Sequence, residues 1–198
     1  MKIYVTGLGV VSGIGLGVAE NIASLRKHQH GMGKVTLFPT ELDVPVSEVK
    51  YSNEELKRLL SLDIQKTFSR TALLGMLAAR EAVDDARLDL NTLRVGLISS
   101  TSVGGMDLSE HFYNAFKKDN RKGRLREVIS HDCGASTEMI ADYLKVNDFV
   151  TTISTACSSA ANAIMLGARM IRNGQLDAAI VGGTDALCKF TLNGFNSL

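Results

Sequence analysis

The sequence predicts an α/β fold, layered around a largely parallel central sheet. Two observations carry that reading. Runs rich in β-branched residues, "RVGLISS", "FVTTIST" and "AAIVGGTDA", alternate with longer segments of helical period. The final third then repeats a simple strand–helix–strand rhythm. Strands that alternate with helices pair in parallel, because the helix returns the chain to the same end of the sheet.

Element by element, "KIYVTGLGVV" reads as a buried strand entering the glycine loop "SGIGLG", with a helix from Val18 to Arg26. Residues 28–62 hold both prolines, Pro39 and Pro45, and show little periodicity; loops and a short helix near "NEELKRLL" are expected there. Ile64, Phe68, Leu74, Leu77, Ala78, Ala82 and Val83 recur at helical spacing, predicting a long helix that Asp63 caps. "RVGLISS" (94–100) is a strand that opens into the small-residue loop "TSVGGMD". Residues 107–120 are expected to be helical, as are residues 136–144 with Ser136 as cap. "FVTTIST" is a strand, "SSAANAIMLGARMIR" a helix with Arg169 and Arg172 in its last turn, and "NG" at 173–174 its stop.

Composition excludes several classes. An apolar share of 45% with 22% charged residues is ordinary for a soluble domain, and a net charge of +1 gives no reason to expect nucleic acid or a membrane as partner. Apolar runs are interrupted well before the roughly 20 residues a membrane-spanning helix needs. The first residues lack the pattern of a signal peptide. Cys133, Cys157 and Cys188 are too few and too scattered for a disulfide framework or a zinc site, so no metal is expected and a reducing cytoplasm is the natural setting. The apolar text "LCKFTLNGFNSL" at the end predicts that these residues come from a longer protein.

The most informative stretch is "VTTISTACSSAANAIMLGARMIRNG" (150–174), where a strand turns into a helix at Cys157. The first N–H groups of a helix lack internal partners and carry the positive end of its dipole. Thiols set there are more acidic than free ones, and the same N–H groups can hold the oxyanion of an attacked thioester. Small residues on both sides leave room for a long acyl chain. On residues alone two readings stand, an acyl-accepting nucleophile and a packed core cysteine.

From "VTGLGVVSGIG" onward the chain resembles the N-terminal half of a β-ketoacyl-(acyl carrier protein) synthase, one of the thiolase-like condensing enzymes. The matching text includes "LAAREAVDDARL", "RVGLISSTSVGGMD", "ISTACSSAANAIMLGARMIRNGQLDAAIVGGTDAL" and "LNGFNSL". The likeness is weaker across 28–62 and 107–136. It implies one half of a thiolase-like fold, residues 1–198 as a single domain, with a central mixed, mostly parallel five-stranded sheet. It implies that Cys157 accepts the acyl group, with a backbone N–H in the oxyanion hole. The carbanion from decarboxylated malonyl carrier then attacks that thioester to give a 3-oxoacyl chain. The histidines that promote decarboxylation, and a lysine, belong to the family's second half. His28, His30, His111 and His131 match none of its catalytic motifs and read as loop or surface residues. This chain alone is therefore expected to be inactive in condensation.

The resemblance further assigns Gly105, Met106, Gly134 and Thr155 to the acyl substrate. Met106 stands where a residue limits chain length, though a core methionine has the same spacing; Gly104 and Gly105 fit either a close backbone approach or a plain turn. "HDCGASTEM" departs from the Asn-rich text usual in the family, where this segment reaches toward the partner's acyl tunnel, so an unusual acyl chain is one expectation. Cys133 reads as a packed small residue. "KKDNRKGRLR" holds six basic residues and one acidic. Lys117, Lys118, Arg121, Lys122, Arg124 and Arg126, with Lys66 and Arg70, are a candidate dock for an acidic acyl carrier protein; a solvated loop is the alternative.

No cofactor is expected. "GLGVVSGIGLG" carries Gly7 and Gly9 after a strand-like run, but Ser12 stands where a dinucleotide fingerprint needs glycine, and no acidic residue follows at the right distance. The family dimerises edge to edge through the strand before the nucleophile, making "FVTTIST" the candidate interface for a homodimer or a synthase-like partner. Rival readings are a thiolase or chalcone-type acyltransferase, and a non-catalytic synthase-like subunit. The spacing of "GGMD" to "TACSSA" and an intact Cys157 argue against them.

Overall fold

A computed structural model describes residues 1–198. In chain order the elements are β1 (Val11–Ser12), β2 (Gly15–Leu16), α1 (Val18–Arg26), β3 (Met32–Gly33), β4 (Val46–Ser47), α2 (Asn53–Leu59), α3 (Arg70–Ala86), β5 (Val95–Ser100) and α4 (Met106–Lys118). They continue with α5 (Leu125–Ile129), α6 (Cys133–Leu144), β6 (Phe149–Ile153), α7 (Ser159–Arg172), β7 (Ala178–Val181) and α8 (Lys189–Asn196). A single 3-10 turn, Ala156–Ser158, joins β6 to α7.

The sheet has the order β6-β5-β7 and is parallel throughout. Every residue of central β5 is buried, as a strand covered on both faces must be. Alternation sorts its side chains: Val95 and Leu97 join α3 and α6 in the larger core, whereas Ile98 joins Ala163 and Met170 of α7 in the smaller one. α7 ends as its sequence predicts, with Gly174 in the left-handed region and its N–H donating to Ile171 O. The expected α/β class holds.

The expected five strands do not. The sheet has three, and "KIYVTGLGVV", expected as one of its strands, takes no place in it. Instead the run lies along α3, where the Leu8 N–H donates to Asp85 Oδ2 and the Val10 N–H to Glu81 Oε2, both at 2.9 Å. Gly7 and Gly9 permit this: a Cβ on Gly7 would lie 2.7 Å from Ala86 Cβ, and one on Gly9 2.8 Å from the Ala78 carbonyl carbon. Two carboxylates thus supply the acceptors that a neighbouring strand would have supplied. Tyr4, Val5 and Leu8 are left exposed.

Helix starts also move. The long helix begins at Arg70, where Ser69 Oγ accepts from the Ala72 N–H; Asp63 closes a local turn by accepting from the Gln65 N–H. α6 begins at Cys133 with Asp132 as cap, and Ser136 sits inside it, donating to Cys133 O. In both cases the cap is the residue whose side-chain oxygen reaches a first-turn N–H, Ser69 for Ala72 and Asp132 for Gly134. The ladders β1–β2 and β3–β4 and the helix α5 carry too few residues of one period to show in the sequence, and α8 is a further helix that the sequence reading does not include.

Candidate active site

The strand-to-helix junction at Cys157 is a tight, polar-braced turn. Ala156 has a φ of 52°, a left-handed conformation that costs a residue with a Cβ about 1–2 kcal/mol. Backbone strain of this kind persists only where its surroundings enforce it. The enforcing groups are neighbours. The Thr155 N–H donates to Ser159 Oγ at 2.8 Å, and Ser159 Oγ donates to Ala156 O at 2.7 Å. Ser158 Oγ donates to Thr155 O at 2.8 Å, and Asn162 Nδ2 donates to Thr155 Oγ1 at 2.8 Å. The result presents the Cys157 thiol exposed, immediately before the first turn of α7. Within these residues Cys157 packs into neither hydrophobic core. Sequence reasoning does not single out Ala156, Ser158, Ser159 and Asn162; the polar spacing Thr155, Ser158, Ser159, Asn162, one face of a helix start, is the available signal.

The loops after β5 and β7 share this end of the sheet, where parallel α/β domains place their ligands. Thr155 is exposed beside the thiol. Gly134, in the first turn of α6, faces Thr152 of β6: a Cβ there would lie 4.0 Å from Thr152 Oγ1. Met106 is half-buried and opens α4. Gly104 and Gly105 are a close approach as well as a turn. Gly104 has a φ of 55°, and a Cβ on Gly105 would overlap the Ser130 carbonyl, 2.6 Å from its carbon. The loop "SVGGMD" is thereby wedged against the segment 130–133 ahead of α6.

Cys133 is half-buried and Cys188 buried, both as free thiols. Burial pushes the Cys188 thiol up, only partly offset by its hydrogen bond with Thr191. The histidines lie on the surface. His111 faces Glu127 at 3.1 Å, His131 Nδ1 pairs with Ser109 Oγ at 2.8 Å, and His30 Nδ1 accepts from the Met32 N–H.

The basic segment is exposed throughout, from Lys117 and Lys118 at the end of α4 through Arg121, Lys122 and Arg124 to Arg126 in α5. Asp119 offsets part of it, pairing with Arg121 at 3.1 Å. Lys66 is exposed on the turn before α3. Arg70 is not available for docking. Only 7% exposed, it donates to Val49 O, Tyr51 O and Asn53 Oδ1. Nearby Asp107 accepts from the Arg70 N–H, and burial pushes its carboxyl above the ordinary range. A basic residue at a helix start reads as surface in sequence; only packing reveals it as the bolt between α3 and the loop ahead of α2.

No helix is long and apolar enough to cross a membrane. A family model described as "Beta-ketoacyl synthase, N-terminal domain" matches residues 1–198. The 3-oxoacyl-[acyl-carrier-protein] synthase 2 of Staphylococcus aureus (strain MRSA252) is 28% identical over 207 residues, covering 100% of this chain and 49% of the relative. Nodulation protein E of Rhizobium sp. (strain N33) is 28% identical over 193 residues, covering 93% of this chain and 47% of the relative. The chain thus spans about half the length of the curated relatives it matches. Among solved structures, the ishigamide ketosynthase/chain length factor superposes with a TM-score of 0.88 at 29% identity, over 98% of this chain and 49% of the other. A ketosynthase in complex with its chain length factor from Xenorhabdus doucetiae gives 0.76 at 25% identity, over 98% and 49%.

Proposed function

The chain belongs to the β-ketoacyl synthases, and on that premise we propose that Cys157 is the nucleophile that takes an acyl group from an acyl carrier protein. The single observation that carries this reading is the exposed thiol on a strained turn at the head of α7. The thiolate attacks the carbonyl carbon of the carrier thioester, N–H groups of the turn hold the oxyanion, and the carrier thiol leaves. The product is an acyl thioester on Cys157. In the complete enzyme a malonyl carrier then loses carbon dioxide, and its carbanion attacks the same carbonyl carbon. Cys157 departs as thiolate and a 3-oxoacyl carrier two carbons longer results.

Residues 1–198 form one domain of that enzyme and stop short of condensation, since none of their four histidines matches a catalytic motif of the family. Gly105, Met106, Gly134 and Thr155 line the acyl site. Lys66 and the cluster from Lys117 to Arg126 dock the acidic carrier, working in a reducing cytoplasm. The free edge of β6 pairs with a second copy or with a synthase-like partner. A non-catalytic partner subunit is the second reading; relatives solved with chain length factors raise it, and the exposed Cys157 weighs against it.

The test is acyl transfer from an acyl carrier protein to this chain, read by intact mass. One acyl group should appear on the wild type and on Cys188→Ala, and none on Cys157→Ala. Charge reversal at Lys117 and Arg121 should slow loading and weaken its dependence on salt. Loading that survives Cys157→Ala would refute the nucleophile. A 3-oxoacyl product from malonyl carrier would refute the expected inactivity.

A further inference from the structure

The run that follows β7 touches both the head of α7 and the loop that leads to Met106. The Gly182 N–H donates to Ile98 O at 3.3 Å and the Thr184 N–H to Ser100 O at 2.9 Å, while Ser100 Oγ donates to Gly182 O at 3.0 Å. A Cβ on Gly183 would press on Ser100 Oγ and come within 3.2 Å of Ala160 Cβ, three residues beyond Cys157. The run then reaches Asp185, which turns one carboxylate oxygen onto the neighbouring loop. Oδ1 accepts from Thr101 Oγ1 at 2.6 Å, from the Ser102 N–H at 2.8 Å and from the Val103 N–H at 3.1 Å. The Thr101 hydroxyl, buried, itself accepts from the Val103 N–H at 3.2 Å and the Gly104 N–H at 3.0 Å. Three successive amides are therefore gathered by one carboxylate and one hydroxyl.

Beyond that loop and the contact of Gly105 with Ser130, α4 is held by polar ties, among them Ser109 to His131 and His111 to Glu127. The helix has no fully buried side chain, so apolar packing contributes little to its placement. Its ties are polar: Asp107 accepts from the Arg70 N–H at 2.9 Å, and Glu110 accepts from the first N–H groups of α8, Lys189 at 3.1 Å and Phe190 at 2.5 Å. At the Met106 end, the Asp185–Thr101 pair sets the path of the chain. Hydrogen bonds to a charged acceptor are the strong ones, and a loop anchored by three of them holds one conformation.

We propose that Asp185 is a positioning residue that sets the acyl-length preference of the Cys157 site by fixing Met106, an inference that rests on the acyl-accepting role given to Cys157 and the acyl-site role given to Met106 above. The experiment compares wild type, Asp185→Ala and Asp185→Asn as 198-residue chains. It measures acyl transfer to the protein from hexanoyl- and decanoyl-acyl carrier protein by intact mass, with iodoacetamide alkylation of Cys157 as control. In Asp185→Ala the ratio of the two rates should shift about tenfold, the equivalent of losing one charged hydrogen bond's worth of order. Asp185→Asn keeps an oxygen acceptor in the same place and should restore most of the wild-type ratio. Alkylation of Cys157 should be unchanged in both. If Asp185→Ala does not fold, Thr101→Val carries the same expectation, since it keeps the shape and drops the relay hydroxyl. A ratio within about twofold of wild type, or equal losses for both donors, would overturn the proposal alone. A wild-type chain that takes no acyl group from either donor would overturn the reading of Cys157 and this inference with it.

Discussion

Replacing Gly105 by alanine should cost about 3 kcal/mol of stability, because the loop before α4 and the segment before α6 touch backbone to backbone there. The new Cβ would stand 2.6 Å from the Ser130 carbonyl carbon and closer still to its oxygen, where ordinary contact begins at 3.4 Å. The shortfall, already about 0.8 Å at the carbon and larger at the oxygen, cannot be absorbed by a rotamer, since both partners are backbone. Relief requires α4 to move, which stretches the bond from the Gly105 N–H to His131 O, already 3.4 Å long, and displaces Met106. Two other glycines isolate the cause. Gly174, with a φ of 70° and nothing within 4 Å, tests left-handed strain alone, and its alanine variant should lose about 1 kcal/mol. Gly182 has open space and no positive φ, so its variant should stay within about 0.5 kcal/mol of wild type. Equilibrium urea unfolding followed by circular dichroism measures all three. A Gly105→Ala variant no less stable than Gly182→Ala would refute the close approach, and with it the account of how "SVGGMD" is placed.

Two further outcomes concern groups that sequence alone misjudges. Arg70→Met should destabilise the chain by about 2 kcal/mol in the same unfolding assay, because three part-buried acceptors lose a charged donor that is itself buried; a loss below about 0.5 kcal/mol would return Arg70 to the surface. Hydrogen bonds from the Arg94 side chain, then from its backbone N–H, lower the Asp177 carboxyl to about 2. A depressed folded-state pKa adds stability above the unfolded value, here the ordinary 3.8, and that stability is lost as pH falls from there through about 2. Asp177→Asn should therefore flatten the unfolding midpoint of the chain across that window and leave its slope near neutrality unchanged. An Asp177 carboxyl that titrates near 3.8 by NMR would contradict the pairing.

Most of the architecture was legible because its causes are local. Helical spacing of Leu74, Leu77 and Ala78, a β-branched run at 95–100 and a stop at Gly174 each leave a mark within a few residues, and each element formed where its mark stood. The Cys157 junction was legible for the same reason, since a strand, a turn of small residues and an alanine-rich helix succeed one another directly. "KIYVTGLGVV" has the composition of a strand as well, but a strand exists only if a neighbour accepts its N–H groups. Asp85 and Glu81, more than seventy residues away in sequence, took that role.

The sequence by itself determined the layered α/β class, the succession of β5, α6, β6, α7 and β7, and a thiol at a strand-to-helix bend. Periodicity and composition encode each of these within one segment. Tertiary structure alone decided that Arg70 is buried, that Gly105 rests on Ser130, that Ala156 is held left-handed, and that Asp185 gathers the loop leading to Met106. Each of these is a contact between segments far apart in the chain, or a geometry enforced by one. No local spacing records which donor a distant carboxylate will meet once the core has closed.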